Sequence, residues 1–148
     1  MKIKKKVFVR PFTLDDMDQV MGIWLEENAS AHSFIPESYW RDNFEAVRQG
    51  ISQADVYVAE EGKEKIIGFI GIQDGYIAGI FVCSQYQGRG IGTALLEKAK
   101  REYAVLTLSV YEKNKTALHF YLKAGFQQES QGIDSATDQV ELSMVWER

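Results

Sequence analysis

One cysteine, two prolines and two histidines in 148 residues set the first limits on this chain. With Cys83 alone, no disulfide can form within the chain, and a reducing cytoplasm is the simple compartment for it. Neither His32 nor His119 lies near it in sequence to activate the thiol, so a structural role is the reading for Cys83. No His or Cys spacing suits a metal, and none is expected. No apolar run approaches the length of a membrane span. Residues 1–6 carry four lysines, as a signal peptide's start does. The apolar core that must follow is missing, because Val7-Phe8-Val9 stops at Arg10 and Pro11. The net charge of −4 provides no general basic surface, which argues against a nucleic-acid partner. There is no repeat, linker or low-complexity stretch. What remains is a globular composition, 45% hydrophobic and 26% charged, expected to fold as one domain over residues 1–148.

The periodicities predict eleven elements. Residues 6–10 read as a strand ended by Pro11. Thr13 and Asp16 form a capping pair, and Leu14, Met17, Val20, Met21 and Trp24 recur at helical spacing. This helix is expected to fade near Asn28, leaving 28–35 as loop. Pro36 suits a first helical turn, and Tyr39, Trp40, Phe44, Val47 and Ile51 give the next helix an apolar face. Strands follow at 56–60, 65–73 and 76–82, with Glu61-Gly62-Lys63-Glu64 as one turn and Asp74-Gly75 as a two-residue hairpin turn. Beyond a glycine-rich loop, Ile91, Ala94, Leu95, Ala99 and Tyr103 line one side of a helix. That helix is a crossover, which makes the alternating strand at 106–111 parallel to the one before the loop. Asn114 caps a helix through Lys123, with Gly125 in the left-handed stop position. Two strands close the chain, at 126–131 and 140–146; Val140, Leu142, Met144 and Trp146 face one way. The order β-α-α-β-β-β-α-β-α-β-β is an α/β fold on a mixed seven-stranded sheet with four helices.

The chain is organised around residues 77–92. An apolar strand passes through Cys83-Ser84-Gln85-Tyr86 into Gln87-Gly88-Arg89-Gly90-Ile91-Gly92 and then directly into a helix. Glycines there let the backbone approach a ligand, and the first N–H groups of the helix have no intrahelical acceptor. With the helix dipole behind them, those donors suit a pyrophosphate, and Arg89 adds positive charge. A nucleotide P-loop is excluded because no Lys-Ser/Thr pair follows. The dinucleotide fingerprint fails because Thr93 stands where its last glycine belongs. The pattern that does match is Q/R-x-x-G-x-G/A, which resembles the coenzyme A signature of the GNAT family of N-acetyltransferases. A loop of this kind standing alone also has a plain reading, as an ordinary glycine-rich turn.

It does not stand alone. Asn114-Lys115-Thr116-Ala117-Leu118-His119-Phe120-Tyr121-Leu122-Lys123-Ala124-Gly125-Phe126 resembles the family's second signature, N-x-x-A-x-x-F-Y-x-x-x-G-F. Element order and length resemble GNAT enzymes over nearly the whole chain. Trp24, His32, Phe34-Ile35 and Tyr39-Trp40 resemble a branch of small bacterial single-domain members. The resemblance implies acetyl-CoA as cofactor and two neighbouring parallel strands that splay to admit its pantetheine arm. It implies backbone bonds from Ile80, Phe81 and Val82 to that arm and to the acetyl carbonyl. It implies pyrophosphate amides from Gly88, Arg89, Gly90, Ile91, Gly92 and Thr93, and a bond to the arm from Asn114. Gln87 and Phe120 complete the cofactor-binding set, Phe120 by packing. Tyr121, two turns past Asn114 on the same side of its helix, is by resemblance the general acid for the leaving thiolate. A phenol of ordinary pKa ~10 is protonated at neutral pH and can donate to sulfur. Its plain reading is a core aromatic.

The implied reaction moves acetyl to a primary amine, on a small molecule or on a protein lysine or N-terminus, by direct attack. The alternatives are a regulatory module that binds CoA without catalysis and a nucleotide-binding enzyme. Several family members place a glutamate on the fifth strand where this chain has Ser109. His32, Glu26, Asp74, a water chain past Tyr76 and Tyr111, or no dedicated base are the options left. Trp24, His32, Phe34, Tyr39 and Trp40 are candidates for the acceptor wall, and Trp24, Tyr39 and Trp40 are equally candidates for core. Glu26, Glu27 and Asp74 would suit a cationic amine, or simply a solvated face.

Overall fold

In the computed structural model, which describes residues 6–63 and 65–148, seven strands form one sheet whose two faces are covered by four helices. The chain runs β1 (Val7–Pro11), α1 (Met17–Ala31), α2 (Glu37–Ile51), β2 (Asp55–Glu61), β3 (Lys65–Gln73) and β4 (Tyr76–Val82). It continues with α3 (Ile91–Glu102), β5 (Val105–Tyr111), α4 (Lys115–Lys123), β6 (Gln127–Asp134) and β7 (Gln139–Glu147). Strands lie in the order β1-β2-β3-β4-β5-β7-β6. Neighbours pair antiparallel except β4 and β5, which are parallel as the crossover through α3 requires. The predicted element order is the observed one. The lysine-rich residues 1–5 and Glu64 of the predicted turn lie outside the described residues.

β3 sits mid-sheet, and its apolar run Ile66 to Ile72 is buried on both faces. Ile67, Ile70 and Ile72 join Leu95, Leu96, Leu106, Leu108 and Met144 beneath α3 and α4. Ile66 and Phe69 join Val20, Met21, Trp24, Trp40 and Val58 beneath α1 and α2. Asp74 and Gly75 both take positive φ, 52° and 80°, as a two-residue hairpin turn of matching twist demands. Pro11 ends β1 on the sheet's edge. Phe12 N–H bonds Val56 O at 2.9 Å, so alternation turns the Pro11 nitrogen away from the ladder and its missing donor costs nothing.

Three expectations are corrected. α1 does not fade at Asn28 but runs to Ala31, because Asn28 is buried and its Nδ2 donates to Trp24 O at 2.9 Å inside the helix. The polar, small-residue run there reads as solvated throughout, whereas Asn28 is buried and, of residues 28–31, only Ser30 and Ala31 are exposed. On α3 the inward residue is Leu96, not Ala94, which is exposed. The sixth strand spans Gln127–Asp134; Phe126 stays in the core because its N–H closes the end of α4 onto Tyr121 O at 3.0 Å.

The Thr13–Asp16 pair is present, Thr13 N–H donating to Asp16 Oδ2 at 2.8 Å, and Arg10 grips the same carboxylate with two nitrogens, each at 2.9 Å. The Arg10 bond holds the Asp16 carboxyl below the ordinary carboxylate range, against the opposing effect of burial. Its stabilisation is therefore complete above that range, ~3.9, and disappears as pH falls through the depressed value. Asp16→Asn is expected to cost about 2 kcal/mol at pH 7 and to flatten the acid limb of stability. Urea denaturation at pH 7 and at pH 3 checks both.

Candidate active site

β4 and β5 pair only at Tyr76–Thr107 and Ile77–Leu108. Ala78 is the reason. It is an extra residue in β4 against β3, whose partners step from Gly71–Gly79 to Ile72–Ile77. Such a bulge bends the strand that carries it, and beyond it β4 and β5 diverge. Cys83 N–H bonds Ile67 O at 2.9 Å, so the antiparallel alternation commits Gly79, Phe81 and Cys83 to β3. The backbone groups of Ile80 and Val82 then face the gap. Phe81, expected to contribute backbone to the cofactor, has its backbone committed to β3 and its ring stacked on Phe69, 5.1 Å between centres.

A cavity of about 640 Å³ follows this gap from the glycine loop to α4. At its mouth Gly88 and Gly90 have φ of 79° and 81°, and a Cβ on either would meet no atom within 4 Å. The loop needs glycine for its left-handed backbone, not for room. The first intrahelical bond of α3 is Ala94 N–H to Gly90 O at 3.0 Å. Ile91, Gly92 and Thr93 line the cavity with N–H groups that precede it and reach no carbonyl in their own helix. Gly90, at the cap, has no side chain to satisfy them. This cradle fits a diphosphate. A Cβ on Gly92 would lie 3.5 Å from the Phe120 ring, an ordinary van der Waals contact, so α4 packs over the start of α3 without requiring glycine at this position.

Two predicted loop residues have partners within the protein, and Gln87 lines the cavity as well. Arg89 does not line the cavity; its guanidinium lies 5.3 Å from the centre of the Tyr86 ring. Gln87 braces the loop, donating from Nε2 to Val82 O at 3.0 Å and to Glu27 Oε1 at 3.2 Å. Glu27, reaching in from α1, is 8% exposed and also accepts from Ser84 Oγ at 3.1 Å. Its place in the loop is visible only in the fold, since 60 residues separate it from Gln87. Burial, with the Glu27 charge next, pushes the Cys83 thiol pKa up, the opposite of an activated nucleophile.

Asn114 caps α4, its Oδ1 accepting from Ala117 N–H at 3.2 Å. That bond orients Nδ2 as donor toward His32 Nε2, 3.1 Å away. His32 therefore carries its proton on Nδ1, which is buried without a hydrogen-bond partner. Burial also lowers its pKa. The ring stays neutral, and its one lone pair is already used. Tyr121 is 7% exposed, lies edge-on to Phe120 and Phe126, and lines both this cavity and a second one. Burial first, and Tyr76 next, raise its pKa, so the phenol holds its proton well beyond neutral pH.

The second cavity, about 250 Å³, crosses the gap to the α1–α2 side. Trp24, His32 and Trp40 line it, as do Tyr76, Ser109 and Tyr111. Phe34 and Tyr39 do not; they stand behind the wall, Phe34 against His32 and Tyr111, and Tyr39 against Trp40. Trp24 and Trp40 belong to the core and to the cavity at once. Glu26 is exposed and Asp74 occupies the hairpin tip, away from both cavities. Glu141 lines the second cavity and was not singled out from sequence, where it is one polar residue of an alternating strand. Among the described residues no group of three His, Cys, Asp or Glu could hold a metal, and no helix is long and apolar enough to cross a membrane.

Comparison with known proteins agrees with this geometry. Residues 52–128 match the family model described as the acetyltransferase (GNAT) domain. The peptidyl-lysine N-acetyltransferase YiaC of Escherichia coli is 35% identical over 120 residues, covering 80% of this chain and 82% of that protein. The solution structure of apo-form YjaB from Escherichia coli superposes with a TM-score of 0.84 at 23% identity, covering 95% of this chain and 97% of that one. The spermidine N-acetyltransferase of Vibrio cholerae, solved with CoA and spermine, shares the fold with a TM-score of 0.70 at 17% identity, covering 95% of each chain. With a diphosphate cradle, a splayed strand pair and both sequence signatures in place, the chain belongs to the GNAT family of acetyl-CoA-dependent N-acetyltransferases.

Proposed function

We propose that this protein transfers the acetyl group of acetyl-CoA to the side-chain amine of a protein lysine, by direct attack, with Tyr121 as general acid. The observation that carries this reading is the meeting of the two cavities at Tyr121. The larger runs from the helix-start amides along the free edge of β4, a path suited to a diphosphate and its pantetheine arm. The smaller, about 250 Å³ and lined by Trp24, Trp40, Tyr76 and Tyr111, approaches the same tyrosine from the other side, a slot suited to an extended alkylamine. Ile80 and Val82 offer backbone donors toward the acetyl carbonyl, where negative charge develops during attack. Tyr121 donates its proton to the departing sulfur. The name of the YiaC relative supports lysine among the possible amines.

Two measurements test it. At one hundred times its Kd, CoA is expected to stabilise the fold by ~2.7 kcal/mol. That corresponds to a rise in Tm of ~5–10 °C, with no comparable rise for ATP or NAD. Mass spectrometry after incubation with acetyl-CoA, lysine peptides blocked at the N-terminus and free spermidine is expected to find acetyl on the lysine Nζ. Acetylation of spermidine alone would reject the lysine assignment.

A further inference from the structure

The polar residues of β5 and β7 share one face of the sheet. Tyr111 lies opposite Glu141 and Ser109 opposite Ser143, while the alternate residues Leu108, Val110, Leu142 and Met144 are buried under α3 and α4. Ser109, Tyr111 and Glu141 therefore line the second cavity from the face toward α1 and α2, and Tyr121 enters it from the opposite face. Ser109 lines the cavity with a short side chain. Glu141 is its diagonal neighbour across the ladder, ~7–8 Å away along the backbone and within the reach of a long side chain. His32 and Trp40, each more than nine-tenths buried, line the same cavity, and His32 Nδ1 and Trp40 Nε1 are buried without a hydrogen-bond partner.

We infer that Glu141 is the general base, the carboxylate that takes the proton from the acceptor's ammonium. This rests on the amine-acetylation reading above. Among the described residues the Glu141 carboxylate has no ion-pair or hydrogen-bond partner. The charged and titratable groups around it are Asp134 on β6, Tyr111 on β5 and Tyr39 on α2, with His32, Tyr76 and Tyr121 on the remaining cavity walls. Asp134 is already committed, accepting from the Tyr111 hydroxyl at 2.6 Å and from Ala136 N–H at 2.9 Å. It stays ionised, drawing cations to this end of the cavity. Burial first and the Asp134 charge second raise the Glu141 pKa, which makes it a stronger base than an ordinary carboxylate. His32 is unsuited, its lone pair being held by Asn114.

The step balances. One ammonium N–H bond breaks and its proton passes to Glu141; the freed lone pair forms the C–N bond to the acetyl carbon. The C–S bond breaks as Tyr121 gives its proton to sulfur. The second proton lost by the nitrogen restores Tyr121, and the proton on Glu141 leaves to water.

The test is kcat/KM for a lysine peptide between pH 6.5 and 10, with Glu141→Gln, Glu141→Asp and the unaltered protein. Glu141→Gln is expected to lose about 100-fold at pH 7 and to converge within about threefold near pH 10, where the lysine amine (pKa ~10.4) supplies its own neutral form. The Kd for CoA should not change. Glu141→Asp, which keeps a carboxylate, should recover part of the loss and the same pH dependence. A loss of equal size at every pH, or no loss at pH 7, overturns the assignment. An unaltered protein that binds CoA yet acetylates no amine overturns amine acetylation itself, and with it this role.

Discussion

Tyr121→Phe is expected to lower kcat by ~10²–10³-fold while leaving the Kd for acetyl-CoA within about twofold. The substitution removes one hydroxyl that no described residue hydrogen-bonds. The ring keeps its edge-on contacts with Phe120 and Phe126, so the fold has little to lose. What disappears is a proton donor in the transition state, ~3–4 kcal/mol of barrier. A steady-state assay of thiol release, paired with a melting curve, separates this from misfolding. Equal turnover by the two proteins would return Tyr121 to the status of a core aromatic. Because its pKa is raised, the rate should show no alkaline decline from this group below the ordinary phenol value of ~10.

Gly90→Asp should abolish cofactor binding with little harm to the fold. Gly90 is the left-handed cap of α3, with φ at 81°, and no atom lies within 4 Å of a Cβ placed there. Aspartate tolerates that backbone better than most residues, at a cost of ~1 kcal/mol. Its carboxylate would sit beside the Ile91, Gly92 and Thr93 amides, accept their hydrogen bonds as a helix cap and repel the diphosphate. Loss of two charge-assisted bonds of ~1.5–3 kcal/mol each raises the Kd for CoA by at least ~100-fold. Calorimetric titration measures this directly. A Kd within threefold of the unaltered protein would remove the helix-start amides from the diphosphate site.

Much of the fold is legible in the sequence because its signals are local. The Asp74-Gly75 turn, the Asn114 cap and the Gly125 stop each depend on a few consecutive residues, and each stands where its backbone chemistry requires. The end of α1 is not legible, since it depends on the burial of Asn28 and on its side-chain bond back to Trp24 O, which the local sequence does not announce. Likewise Ala94 and Leu96 are both apolar, and only the packing of α3 decides which turns inward.

The candidate site divides along the same line. The sequence by itself determined the left-handed glycines, the uncapped helix start and the spacing from Asn114 to Tyr121, because each is a property of neighbouring residues. Only the tertiary structure decided that Ala78 bulges and opens β4 from β5, that Glu27 holds the loop from another helix, and that Glu141 shares a cavity with Tyr121. Those relations join residues far apart in the chain through strand pairing and burial, and no short stretch of sequence carries a trace of them.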